Sequence, residues 1–135
     1  MKTSAAILID TNHLEIVELE IPQLKPGQVL VEIKYSGFCH TQLLEIRGKR
    51  GKDAYLPHCL GHEGSGIVVD IGPDVQKVKP QDTVILSWIK ASGINVAGTI
   101  YKWGEKKVNA GAITTFSRFA IISENRSRLY LLNSL

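Results

Sequence analysis

The sequence of 135 residues predicts a mainly β protein, either a small barrel or a sandwich, with one or two short helices at most. Most of the chain consists of short apolar or alternating segments, and turns rich in glycine and proline separate them. With 44% hydrophobic and 21% charged residues, the composition is that of a globular protein that buries a core. The length predicts a single domain over residues 1–135.

Three strands are predicted in the first part of the chain. Residues 4–9 are short and apolar, and residues 13–21 alternate apolar with charged side chains. Pro22 closes the second strand, because proline cannot donate a ladder hydrogen bond. After a turn around Pro26 and Gly27, residues 29–37 show the clearest alternation of the whole chain.

The elements that follow are less regular. Residues 40–48 predict a short helix that Gly48 ends. Residues 91–111 lack periodicity and are expected to form a loop with at most one hairpin, and the tail 124–135 is ambiguous. Three further strands are predicted, at residues 64–72, 83–88 and 114–123.

Charge and cysteine content argue against several classes of protein. A formal net charge of +3 does not indicate a nucleic-acid binder, and the basic segment 47–52 is either a solvated loop or an anion contact. Two cysteines do not form a disulfide framework, which favours a reduced, cytoplasmic location. The apolar run near the N-terminus is too short for a secretion signal, and no segment has the length of a membrane helix.

Two motifs carry candidate metal ligands. Cys39 lies in "GFCHTQ" and His62 in "LGHEGSG", each at the edge of a predicted strand and next to glycines that permit close approach. Thiolate and imidazole are preferred zinc ligands, and a catalytic zinc has three protein ligands and one open position. The two residues would therefore form half of a site that needs a third ligand.

The same residues also have ordinary structural interpretations. A cysteine after Phe38 is often a small buried apolar residue, and a single histidine is often only hydrogen-bonded. Cys59, between Leu-Pro and Leu-Gly, is typical of core, while His58 and His13 are weaker ligand candidates. No glycine-rich dinucleotide or phosphate loop occurs in the sequence.

Three segments together indicate a family. "VLVEIKYSGFCHTQ", "LPHCLGHEGSGIVVDIGPDVQKVKPQDTVI" and "ITTFSRFAIIS" resemble, in this order, the zinc-dependent alcohol dehydrogenases of the medium-chain dehydrogenase/reductase superfamily. The resemblance runs over most of residues 1–128 and corresponds to the N-terminal catalytic domain. It implies a GroES-like, partly open β-barrel, in agreement with the strand pattern.

The resemblance implies one catalytic zinc. Cys39 and His62 match its first and second ligands, and Glu63 matches the carboxylate behind the metal, which is an occasional ligand. Gln42 stands where the family usually has an acidic residue that orients the ligand histidine, so weaker zinc binding is expected. Residues 88–113 lack cysteine, so no structural zinc is expected.

The resemblance also implies residues for the reaction with a small-molecule alcohol or aldehyde. Thr41 matches the hydroxyl group that passes the substrate proton toward solvent. His40 matches a residue near the phosphates of NAD(P) and extends that proton path. Trp88 matches a position that often lines the substrate pocket.

The family's third zinc ligand and its NAD(P)-binding Rossmann domain follow the positions that match "AIISENR". We therefore expect a truncated chain that is inactive alone and exposes an apolar face, which favours a homo-oligomer. The alternative is a non-catalytic GroES-like interaction module that retains a partial zinc site. A co-chaperonin would not need "CHT" and "GHE", and a zinc-free quinone-reductase relative usually lacks both ligands.

Gln81 replaces a glycine in "KPGD" and would be strained at positive φ.

Overall fold

The computed structural model describes residues 1–130, which form two five-stranded β-sheets. The first sheet closes into a ring in the order β1-β2-β7-β8-β4, with strands β1 (Lys2–Asp10), β2 (His13–Glu20), β4 (His58–Cys59), β7 (Thr99–Trp103) and β8 (Lys106–Gly111). The second sheet is open, in the order β10-β6-β5-β3-β9, with strands β3 (Gln28–Ser36), β5 (Glu63–Ile71), β6 (Thr83–Ser87), β9 (Phe119–Ser123) and β10 (Ser127–Leu129). One α-helix, α1 (His40–Ile46), and one 3₁₀ turn, Glu124–Arg126, complete the described elements.

Each sheet covers its own hydrophobic cluster, and β3 contributes to both. Leu30 belongs to the cluster inside the barrel, whereas Val29 and Val31 belong to the cluster of the open sheet. A strand between two cores is apolar on both faces, which explains the unbroken apolar run at this point of the sequence. The predicted mainly β barrel with little helix is confirmed.

The structure differs from the predicted elements in two places. Residues 114–118 do not continue the last long strand, because Thr115 and Phe116 turn to donate their N–H groups to the Leu60 carbonyl. The two-residue strand β4 shows no periodicity by itself, and it forms because its register places Cys59 opposite Ile7. The hairpin within residues 91–111 is present as β7 and β8.

In the "KPQD" turn, Gln81 has a backbone conformation that glutamine disfavours. Gln81 has φ of 80°, in the left-handed region that disfavours any residue with a side chain. The strain expected there from the missing glycine is therefore present. Residues 131–135, the end of the tail whose structure the sequence leaves ambiguous, lie outside the described residues. Within residues 1–130, no helix combines the length and apolar character of a membrane span.

A buried carboxylate joins two loops to the 3₁₀ turn that follows β9. Glu124 is 3% exposed, and its oxygens accept N–H hydrogen bonds from Gln76 at 2.9 Å, Lys77 at 3.1 Å and Ile94 at 2.7 Å. Burial opposes ionisation, but these donors and the nearby Lys77 charge hold the pKa of Glu124 below its ordinary value of 4.5. The charged form is therefore the one that the fold stabilises.

We expect Glu124→Gln to destabilise the domain by about 2 kcal/mol at pH 7. The amide replaces one of the two accepting oxygens with an NH₂ group, which cannot accept a hydrogen bond from the surrounding backbone N–H groups. The carboxyl group of Glu124 has a lower pKa in the folded state than in the unfolded state, so its ionised form stabilises the fold at pH values above the unfolded-state pKa. This stabilisation is lost as the pH falls below about 4.5. Urea unfolding from pH 7 to pH 3 should show a smaller loss of stability for the variant than for the wild type. Glu105→Gln, an exposed position, is the control, and equal pH slopes for all three proteins would contradict this role of Glu124.

Candidate metal centre

The antiparallel register of β3 and β5 brings the two sequence motifs together. The last pair of this register joins Ser36 to Gly64, so β3 ends where β5 begins. Cys39 follows β3 by three residues, and His62 immediately precedes β5. Residues that are distant in the sequence therefore leave the same edge of one sheet.

Glycines in "GHEGSG" allow the two strands to approach this closely. A Cβ atom on Gly64 would overlap the carbonyl oxygen of Tyr35, and one on Gly66 would overlap that of Glu32. The register of this pairing also shifts between Ile33 and Tyr35, as at a β-bulge. Side chains are excluded from these positions by the backbone of the partner strand.

Cys39 and His62 are in direct contact. The Cys39 Sγ atom lies 3.4 Å from Nε2 of His62, and both side chains are partly buried. Cys39 is the N-cap of α1 and has an extended backbone, with φ of −110° and ψ of 165°. The end of β3 and the start of the helix together therefore determine where the sulfur lies.

Gln42 connects both members of this pair. It is 2% exposed; its Oε1 accepts the Cys39 N–H at 2.7 Å, and its Nε2 lies 3.1 Å from Nδ1 of His62. The side chain thus caps the helix and contacts the histidine ring opposite the sulfur. The sequence singles out Gln42 only because it stands where the resembling family usually has an acidic residue. It does not predict the hydrogen bond from the Cys39 backbone N–H to the Gln42 side chain.

A cavity of about 500 Å³ opens next to the pair. Its wall combines polar groups with aliphatic ones from the barrel, a composition common to small-molecule sites. The lining includes Thr41, Gln42, His62, His58, Ile100 and Ile113.

A second polar cluster surrounds His58, which also lines the cavity. His58 lies with Nε2 at 2.6 Å from Asp53 Oδ2 and 3.9 Å from Glu45 Oε1, and with Nδ1 at 2.8 Å from the Cys59 carbonyl oxygen. Burial raises the pKa of Asp53, but the Tyr55 N–H and His58 outweigh it, so the pKa lies below its ordinary value. This cluster attaches the loop before β4 to α1.

Cys59 differs from Cys39 in its surroundings. It packs against the barrel core, and burial raises its pKa to about 12. At neutral pH it is therefore a thiol and a poor metal ligand.

The other predicted site residues lie farther out. Thr41 and His40 are both exposed at the start of α1, and Thr41 lines the cavity whereas His40 does not. Glu63 is exposed, with its carboxylate folded against Gly37. Trp88 is 57% exposed and does not line the cavity, so its role in a substrate pocket stays a prediction.

Cys39 and His62 have the chemistry and spacing of two zinc ligands. Two atoms bound to one tetrahedral zinc at the usual bond lengths are about 3.6 Å apart, close to the observed 3.4 Å. Across residues 1–130, however, no group of three His, Cys, Asp or Glu side chains is arranged to hold a metal ion. These two residues therefore fit half of a zinc site, and Glu63 does not complete it.

The fold and the site define a GroES-like β-barrel domain with a cysteine–histidine pair whose histidine lines a cavity. The family model described as the alcohol dehydrogenase GroES-like domain matches residues 25–127. The chain belongs to this family.

Curated relatives agree with this assignment. An alcohol dehydrogenase class-3 of Cereibacter sphaeroides is 44% identical over 86 residues, which is 63% of this chain and 23% of that protein. An S-(hydroxymethyl)glutathione dehydrogenase of Paracoccus denitrificans is 42% identical over the same length, with the same coverage. The matched part thus spans about a quarter of these relatives.

Solved structures show the same fold over nearly the whole chain. Benzyl alcohol dehydrogenase from Acinetobacter calcoaceticus superposes with a TM-score of 0.78 at 26% identity, covering 98% of this chain and 42% of that one. An alcohol dehydrogenase zinc-binding domain protein from Burkholderia ambifaria reaches 0.84 at 21% identity, with the same coverage, and supports the fold alone.

We expect Gly66→Ala to destabilise the domain by about 2–3 kcal/mol, because the new methyl group must displace the backbone of β3. Urea unfolding monitored by circular dichroism measures this loss. Gly104→Asn is the matched control, since Gly104 has φ of 59°, which asparagine tolerates, and open space around it. Equal stability of the two variants would show that close strand approach does not depend on Gly66.

Proposed function

We propose that this chain is the zinc-site domain of an NAD(P)-linked alcohol dehydrogenase. The observation that carries the proposal is the 3.4 Å approach of Cys39 Sγ to His62 Nε2 beside the cavity. Membership in the alcohol dehydrogenase family and the names of the relatives support it. Cys39, as a thiolate, and His62, as an imidazole, would hold the metal, with a third ligand from outside residues 1–130.

Bound zinc would act as a Lewis acid that makes an alcohol hydroxyl more acidic or polarises a carbonyl. The chain's own residues would position the substrate and remove its proton. Thr41 lines the cavity, and its hydroxyl can accept a proton from an alcohol while it donates its own. His40, exposed beside it, provides the next acceptor on the path to solvent.

Cavity size and lining favour a small substrate. About 500 Å³ accommodates a small alcohol or aldehyde, and Ile100 and Ile113 supply apolar contacts for its carbon chain. Hydride transfer also needs a nicotinamide cofactor, which requires a dinucleotide-binding fold. The two sheets of residues 1–130 do not provide that fold.

A second candidate function is a GroES-like interaction module that keeps a partial zinc site. The observation that favours it is the lack of a third ligand among the described residues. The two functions differ in turnover, since only the dehydrogenase requires alcohol-dependent reduction of NAD(P).

We expect the chain to bind Co²⁺, used as a spectroscopic substitute for zinc, with a thiolate-to-metal absorption band. Cys39→Ser should abolish the band, and His62→Ala should weaken binding about 10-fold or more, because each removes one ligand. Cys59→Ser is the matched control and should retain the band. Optical titration with reductant present measures all four proteins.

The dehydrogenase proposal is then tested by alcohol-dependent NAD(P) reduction. The assay uses the protein as its gene encodes it, including any residues beyond Leu135. Cobalt binding through Cys39 without turnover would favour the interaction module. A band that persists in Cys39→Ser would overturn the assignment of the site.

A further inference from the structure

The orientation of the Gln42 amide is determined by its neighbours. The Cys39 backbone N–H can only donate, and it lies 2.7 Å from Gln42 Oε1. The opposite orientation would place the amide NH₂ group against another donor. The Nε2 atom of Gln42 must therefore face His62, as the structure has it at 3.1 Å.

This orientation decides which nitrogen of His62 carries the proton. An amide NH₂ group is only a donor, so Nδ1 of His62 has to accept from it and be free of hydrogen. In the neutral ring the proton then lies on Nε2, the nitrogen that faces Cys39 Sγ at 3.4 Å. The pair is joined by an N–H···S hydrogen bond.

We propose that Gln42 is a positioning residue that holds His62 in the Nε2–H tautomer and thereby opposes a bond between Nε2 and a metal ion. This inference rests on the proposed zinc function and specifies a residue that lowers the affinity of the site for the metal. The nitrogen that a metal ion would use is occupied by a proton. Metal binding has to break the N–H···S bond before it forms a bond to the ring.

Metal binding at Nε2 also changes the hydrogen bond at Nδ1, on the other side of the His62 ring. A histidine that binds metal through Nε2 carries its proton on Nδ1 and needs an acceptor there. Gln42 supplies one only if its amide rotates, and the rotation turns its NH₂ group toward the Cys39 N–H. A carboxylate at this position accepts from both groups without rearrangement, since each of its oxygens is an acceptor.

Gln42→Glu tests the proposal because the side chain keeps its length, exchanges a donor for an acceptor and adds one negative charge, for which the Gln23→Glu control corrects. Long-range ¹H–¹⁵N correlation spectra of the metal-free chain report the tautomer of His62. We expect protonation on Nε2 in the wild type and on Nδ1 in the variant. A wild-type ring protonated on Nδ1 would overturn the proposal, whatever the metal affinity.

The second measurement is Zn²⁺ affinity by competition with a chromophoric chelator. Gln42→Glu should bind about 10- to 100-fold more tightly than the wild type. Gln23→Glu, which adds the same charge at an exposed position, should bind like the wild type. Equal affinity of the wild type and Gln42→Glu would contradict the inhibitory role of Gln42.

The failure of the proposed function has a different signature. If neither the wild type nor Gln42→Glu binds zinc while His62 shows the Nε2–H tautomer, zinc use is wrong and the assignment of Gln42 stands. Thermal melting of each variant verifies that the compared proteins are folded.

Discussion

The pairing of β3 with β5 is the constraint on which the rest of the site depends. Its register ends at Ser36 and Gly64, so the chain segments that carry Cys39 and His62 leave the sheet side by side. A shift by one residue would turn alternate side chains to the opposite face and move the sulfur away from the imidazole. This register also requires Gly64 and Gly66, because a Cβ atom at either position would overlap the backbone of β3.

The fold was predictable where local pattern and tertiary role agree. β3 and β5 alternate or run apolar because each has at least one face against a core, and their predicted bounds differ from the observed ones by one residue. β4 was not predictable, because two residues have no period and its pairing with β1 arises only in the closed barrel. Residues 114–118 look like a strand, but the Leu60 carbonyl competes successfully for their N–H groups.

The site was predictable in its ligands and not in its hydrogen bonds. Thiolate and imidazole beside glycines indicated a metal pair, and family resemblance supported it. The sequence could not show that Gln42 bonds to the Cys39 amide, because this contact depends on the N-cap geometry of α1. It also could not show that Glu63 folds against Gly37, since that follows from the turn into β5.

The scaffold around the pair is held by interactions that involve no metal. The barrel and the open sheet each have a hydrophobic cluster, and Glu124 joins two loops to the 3₁₀ turn that follows β9. His58, which lines the cavity, lies 2.6 Å from Asp53 and so attaches the loop before β4. The position of the ligand pair is thus supported by contacts of the protein itself. A hydrogen bond within that pair then has a definite physical effect: it satisfies two partly buried polar groups, and an incoming cation must compete with it.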